Sequence, residues 1–325
     1  MARAWRDGRI AAIVSLTCAG CLFDYGFFGD GEEVVRGVLV EESFVQQAAP
    51  WVDVLFVIDN TASMEAEQEA LAQGFGSFIE NLEEAGVDYQ AGVVTTDVSG
   101  PDAGLLRGVP WIVTSRSEDP VVDFEQASQV GTLGASPEAG LGAAWLALTE
   151  PLRSGGNRGF RRDGAVLQVV VVSDTDDRSE DILGPDPAAA FLSFLSQERA
   201  ETGAEAFLSA VAGPVPMGCS GPHGRAQPAY RYTEVVEEAE GVFASICEGD
   251  MGAVLQAIAA SSLVYPTTFR LQAEPDPDTL RVAVDDLRLD TGWLYDLDPP
   301  SVVFDEPPDP DARISVRYRL AGGST

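Results

Sequence analysis

The sequence predicts an α/β protein: a doubly wound, mostly parallel sheet with helices on both faces, followed by a small C-terminal all-β domain. Three observations predict it. Residues 52–58 and 166–172 are near-continuous apolar runs, the pattern of strands buried on both faces of a parallel sheet. Segments of helical period alternate with such runs between residues 51 and 264. After about Pro266 the pattern changes to short strand candidates spaced by Pro, Asp and Gly, as in a small β module.

Taken in order, the chain opens with Arg3, Arg6 and Arg9 before an apolar run over 10–18. That run is about half the length needed to span a bilayer. Ala19, Gly20 and Cys21 follow, so residues 1–20 have the charged, apolar and small-residue regions of a secretory signal. The stretch Cys18-Ala19-Gly20-Cys21 resembles a bacterial lipobox, with Cys18 standing where leucine is usual. The resemblance implies cleavage before Cys21, lipid on Cys21, and a place in the cell envelope. Leu22 in the next position, rather than an aspartate, suits sorting to a bacterial outer membrane. Residues 21–50, rich in Gly, Glu and Phe, read as a tether with one short strand over 34–40.

The α/β domain is expected over 51–264. Its first helix, 65–84, carries Leu71, Phe75, Phe78, Ile79 and Leu82 at helical spacing. Strands are expected over 89–95, 205–211 and 242–246, and helices over 138–148, 188–200 and 252–263. The remaining domain, 265–325, holds strand candidates at 269–271, 280–284, 293–295, 302–304 and 314–318. Its acidic turns, such as Glu274-Pro275-Asp276-Pro277-Asp278, read as solvated loops.

Charge narrows the function. The chain has 20 basic and 52 acidic residues, a net charge of −32; every basic residue is arginine and His223 is the sole histidine. So acidic a surface repels phosphate backbones, which disfavours nucleic-acid binding. With no lysine, Schiff-base chemistry and a P-loop are excluded. Any Ser-His or Cys-His mechanism would rest on His223, which lies in Ser220-Gly221-Pro222-His223-Gly224 and reads as an exposed loop residue. Hydrophobic residues at 45% suffice for a real core. Once Cys18 leaves with the signal and Cys21 takes lipid, Cys219 and Cys247 remain as an even pair in an oxidising compartment. A disulfide between them is expected, worth on the order of 3–4 kcal/mol in the loop-entropy model. Two cysteines and one histidine at these spacings match no zinc pattern.

The chemistry is expected at the carboxyl ends of the strands, where doubly wound sheets place ligands. The first strand ends in Asp59-Asn60-Thr61-Ala62-Ser63, ahead of a helix. One carboxylate and two hydroxyls there suit a hard cation. The alternative is plain N-capping by Ser63 or Thr61, with Glu65 or Glu67 in the first turn. The strand 166–172 ends in Ser173-Asp174-Thr175-Asp176-Asp177, and between the two strands lies Val130-Gly131-Thr132-Leu133-Gly134.

In this order and context, Asp59, Thr61, Ser63, Thr132 and Asp174 resemble the metal-ion-dependent adhesion site of the von Willebrand factor type A family. The family pattern is Asp-x-Ser-x-Ser after the first strand, a loop threonine, and an aspartate after the fourth strand. Thr61 replaces a serine and keeps the hydroxyl; Thr95 and Thr96 are alternatives for the loop threonine. The resemblance covers residues 50–263, and 54–60 with Gln68 looks especially like bacterial lipoprotein members. It implies a Rossmann-like fold and a divalent cation, Mg²⁺ foremost, with Mn²⁺ or Ca²⁺ as alternatives. It also implies a protein partner that offers an acidic side chain, and no enzyme. An aspartyl-phosphate enzyme would want a lysine. An EF-hand-type calcium loop from Asp174 fails because Arg178, Ser179 and Pro185 occupy its ligand, glycine and glutamate positions. The rival functions are a structural envelope protein with a metal-steadied, non-adhesive domain, and a metal-dependent hydrolase.

Overall fold

The computed structural model describes residues 38–320. The signal segment, Cys21 and most of the tether lie outside the described residues. The chain forms two compact units, one of residues 48–264 and one joining 38–47 to 265–320.

Along the chain, β1 (Leu39–Val45) precedes β2 (Trp51–Ile58), α1 (Glu65–Glu84) and β3 (Asp88–Thr95). Then come β4 (Val113–Thr114), α2 (Pro120–Ser128), α3 (Gly140–Leu148), β5 (Val166–Val172), α4 (Glu180–Leu183) and α5 (Pro187–Thr202). Next are β6 (Ala206–Ala212), β7 (Cys219–Ser220), β8 (Arg225–Ala226), α6 (Tyr230–Glu238), β9 (Phe243–Ser245) and α7 (Met251–Ser261). The last strands are β10 (Thr268–Arg270), β11 (Arg281–Val284), β12 (Leu287–Leu289), β13 (Trp293–Leu297), β14 (Pro300–Phe304) and β15 (Arg313–Arg319).

In the larger unit six strands run in the order β4-β3-β2-β5-β6-β9. The pairs from β3 to β9 are parallel, and β4 closes one edge antiparallel to β3. β2 is central, and its side chains alternate between two cores. Phe56 packs edge-on against Phe75, Phe78 and Phe124, from α1 and α2. Leu55 and Val57 face the other core, with Leu141, Phe191 and Tyr232 from α3, α5 and α6. This two-sided burial explains why the strand carries no polar side chain between Asp53 and Asp59.

Asp53 itself is fully buried and needs cations. Arg162 Nε donates to its Oδ1 at 2.7 Å and Arg161 Nη1 to its Oδ2 at 3.3 Å. Arg161, almost completely buried, also pairs with Glu198 of α5 at 3.1 Å, and Arg153 joins Glu198 from the other side. Burial pushes the Asp53 carboxyl upward, and the two guanidinium groups oppose that shift. This network fastens the segment before β5 to the amino end of β2.

In the smaller unit, β1 pairs antiparallel with β15 in a four-stranded sheet ordered β1-β15-β11-β12, and β10-β14-β13 form a second antiparallel sheet. Phe269, Val282, Val302, Ile314, Val316 and Tyr318 fill the core of this unit. Glu42 is buried there and accepts from the Tyr318 hydroxyl and the Gln272 N–H.

Three expectations need correction. The expected fold class, a doubly wound, mostly parallel Rossmann-like sheet with a C-terminal β domain, does not describe this chain. It is mixed α/β with four sheets among the described residues: the six-stranded one is mixed, and the other three are antiparallel. The β unit is not purely C-terminal, because the end of the expected tether is its strand β1, in register from Leu39 against Arg319 to Val45 against Arg313. The reason is pairing over a long sequence separation, which no local pattern announces. Helices α2 and α6 were not expected, although Asp119 followed by Pro120 carries a start signal, the Asp119 carboxylate accepting from the Val122 N–H.

The ion network yields a test. Asp53→Ala should leave the Arg161 guanidinium buried without half of its anionic partners. It should cost about 3–5 kcal/mol of unfolding free energy, read by urea denaturation.

Candidate metal centre

The candidate site forms where β2 and β5, hydrogen-bonded neighbours, both end. The Asp59 N–H donates to Val172 O at 2.9 Å, so the two strand tips stay joined to their last residues. Asp59 is fully buried. Its Oδ1 accepts from the Thr61 N–H at 2.9 Å and from Thr61 Oγ1 at 2.7 Å. Its Oδ2 accepts from Ser173 Oγ at 2.7 Å. Three neutral donors therefore hold the carboxylate, and no cation does. Ser63 lies near the carboxylate of Asp174 and favours its charged form.

These bonds decide against plain capping. Neither the short 3₁₀ turn over Ala62–Met64 nor α1 after it has a side-chain N-cap bond. The hydroxyl of Thr61 points its proton at the Asp59 carboxylate instead. A hydroxyl that donates its one proton in this way still has lone pairs free to accept or to coordinate.

Asp174 is nearly buried, and its Oδ1 has no hydrogen-bond partner. Burial pushes its carboxyl upward, Ser63 opposes the shift, and the nearby charges of Asp59 and Glu138 add to it. The Thr96 hydroxyl and Asn60 Oδ1 are likewise buried without partners.

The loop with Thr132 comes to the same edge. Gln68 Nε2 donates both to Asp59 O and to Gly131 O, each at 2.9 Å. Gly134 N–H donates to Asn60 O at 2.8 Å. Gly134 packs so closely on Asn60 that a Cβ there would collide with its side-chain amide. Thr132 thus lies between two backbone anchors to the β2 tip, half-buried, and is not among the residues hydrogen-bonded to Asp59 or Asp174. Thr61 is bonded directly to Asp59, Asp174 follows Ser173, which donates to Asp59, Ser63 acts on the Asp174 carboxyl, and Thr132 reaches this edge only by its loop. Thr95 and Thr96, the alternatives, are buried at the end of β3, where the Thr96 N–H donates to Ile58 O.

Two residues of this edge escape a sequence reading. Ser173 donates to Asp59, and its signal was a hydroxyl just before the strand-tip aspartate. Glu67, named in the sequence only as a first-turn acid of the capping alternative, is buried, and its Oε2 has no partner. On the same side, β7 and β8 form a hairpin. The expected disulfide is present, joining Cys219 in β7 to Cys247 after β9. The Gln227 N–H, just past the hairpin, donates to Asp174 O at 2.8 Å.

The donor set is two carboxylates, several hydroxyls and carbonyl oxygens, which fits a hard divalent cation better than a soft one. Among the described residues no group of three or more His, Cys, Asp or Glu is placed to hold one ion directly. A cation here would need the hydroxyls as ligands.

No protein-family model matches the chain, and no curated protein matches it. Among solved structures, it is similar to the pilus adhesin SpaC from Lactobacillus rhamnosus GG in its open conformation. The identity is 12%, 90% of this chain and 42% of that chain are covered, and the TM-score is 0.42. It is also similar to proximal thread matrix protein 1 from the mussel byssus, at 14% identity, with 70% and 51% covered and a TM-score of 0.41. The chain spans about half or less of the length of these structures. Likenesses this low assign neither family nor activity.

The raised carboxyls predict a pH dependence. Asp174 binds a proton more tightly in the native state than in the unfolded one. Its stability contribution is therefore full below the ordinary carboxylate value and is lost as pH rises through the native value. In EDTA, Asp174→Asn should match the wild type in melting temperature near pH 4 and exceed it at neutral pH, as read by thermal scans.

Proposed function

We propose that the chain is an envelope-anchored lipoprotein related to the von Willebrand factor type A family. In this reading Asp59, Thr61, Ser63, Thr132 and Asp174 hold a divalent cation through which residues 51–264 bind a protein partner. The observation that carries the proposal is the way the two buried carboxylates at neighbouring strand tips are compensated. Hydroxyl protons of Thr61 and Ser173 turn toward Asp59, and Asp174 Oδ1 stays buried without a partner. Both features favour a positive ion beside these groups.

A Mg²⁺ bound there supplies local positive charge and an open position that a Glu or Asp carboxylate of a partner can fill. The chain's own residues do the rest. Asp59 and Asp174 balance charge, and Thr61 and Ser63 offer neutral oxygen. Gln68 holds the Thr132 loop against the β2 tip. Few direct anionic ligands leave such an ion electrophilic toward an acidic partner.

Titration calorimetry with the full chain should detect Mg²⁺ binding at millimolar concentration or below. Saturation about a hundredfold above Kd should raise the melting temperature by roughly 5–10 °C. Asp59→Ala should abolish that rise while the metal-free protein still folds. Thr61→Ser should keep the rise, since only the hydroxyl is required. Absence of divalent-cation binding to the wild type would end the proposal, and partner capture indifferent to EDTA would leave the cation a merely structural part.

The anchoring is tested separately. Mass spectrometry of the mature N-terminus should find lipid on Cys21; an unmodified peptide beginning after Cys21 would refute it.

A further inference from the structure

Glu67 lies in the first turn of α1, where an acidic side chain usually extends into solvent beside the helix N-terminus. Here it does the reverse. The residue is 2% exposed, whereas Glu65, two positions earlier, is exposed. Its Oε1 is pressed against Gly224 of the hairpin, where any Cβ would collide with it, and its Oε2 meets no hydrogen-bond partner. Burial and the charges of Asp174 and Asp59 push its carboxyl upward, and His223 of the hairpin opposes them without reversing the shift, so it faces the same edge as the two aspartates.

A buried carboxylate with one oxygen unsatisfied and two acids nearby is costly unless positive charge is supplied. Arginine does not supply it, and His223, the one cationic group that acts on Glu67, forms no ion pair with it and leaves its carboxyl raised. The ion pairs formed among the described residues go to Asp53, Asp88, Asp102, Glu198 and other acids, and none reaches Glu67, Asp59 or Asp174. Arg231, on the nearby helix α6, is turned to Glu180 and to Asp177 O.

The hairpin that covers Glu67 is itself held firmly. Its first strand is stapled by the Cys219–Cys247 disulfide, and its end is tied to Asp174 O through the Gln227 N–H. Gly221 abuts Cys247 so closely that a Cβ there would collide with the Cys247 carbonyl. The unpaired carboxylate is therefore fixed in place and shielded from bulk solvent.

We propose that Glu67 is a third acidic group of the cation centre, acting on the ion across water from beneath the disulfide-stapled hairpin. Action across water follows from the absence, among the described residues, of three acids close enough to share an ion directly. The inference rests on the cation reading above and adds to it a charge that the strand-tip pattern does not contain. It also gives the hairpin a task, since Gly224 sets where the carboxylate can lie.

The test compares Mg²⁺ binding by calorimetry in the full chain for wild type, Asp59→Ala, Glu67→Gln and Gly224→Ala, with thermal scans of each in EDTA. Glu67→Gln should bind Mg²⁺ about 10- to 100-fold more weakly, the usual effect of removing a group that acts through a ligand. In EDTA it should melt at or above the wild-type temperature, because an uncompensated buried charge has gone; a merely structural Glu67 would instead lower it. Gly224→Ala, which displaces the carboxylate without removing it, should also weaken binding, and it keeps the test open if Glu67→Gln fails to fold. Wild-type affinity in a folded Glu67→Gln or Gly224→Ala protein would overturn the role of Glu67 while the cation centre stands. No binding by the wild type would overturn both.

Discussion

The central strand carries a buried carboxylate just inside its amino end, Asp53, and another just past its carboxyl end, Asp59. The apolar residues between them cannot be buried on both faces unless both charges are compensated. The two ends solve this differently. Asp53 receives two guanidinium groups, from Arg161 and Arg162, which tie it to Glu198 and Asp88. Asp59 receives only a backbone N–H and two hydroxyls. In a chain of 20 arginines, this withholding of cations from one edge of the sheet is the feature on which the reading of that edge depends.

The order of the elements then follows from holding that edge together. β5 pairs with β2 in parallel, so Asp174 comes to lie beside Asp59, and α1 leaves the β2 tip at once. Gln68, one turn into α1, reaches back to Asp59 O and out to Gly131 O. One amide thus joins strand, helix and loop. Farther along, Asp177 accepts from the Leu141 N–H and from the Ser179 hydroxyl, closing the amino end of α3 below the same loop. Burial raises the Asp177 carboxyl, and those hydrogen bonds oppose the shift. The edge is built of acids held by neutral donors.

How much of this was legible follows the range of each interaction. Residues 52–58 and 166–172 were readable because burial on both faces leaves an unbroken apolar run, and α1 because its core residues recur on one face. Asp59 and Asp174 were readable as strand-tip acids. What the pattern could not separate was hydroxyls that cap a helix from hydroxyls that serve carboxylates. For Ser173 that role depends on Asp59, more than a hundred residues away in sequence. The burial of Glu67 depends on a hairpin farther along still. The pairing of β1 with β15 joins the two ends of the described chain, so the segment before residue 50 reads as a tether by composition alone.

The net charge of −32 bears on what such an edge can bind. An acidic partner approaching this surface meets repulsion that salt screens over about 8–10 Å. Attraction must therefore arise locally, within a few ångström of a positive group, where repulsion from the rest of the surface is already screened. Arginines engaged with Asp53, Glu198 and Glu180 cannot provide it without stranding those acids. A divalent ion among Asp59, Thr61, Ser63 and Asp174 can, because those groups are short of positive charge as they stand. On this reading selectivity would come from the carboxylate that completes the ion's coordination, and the acidic surface would serve to reject everything that does not present one.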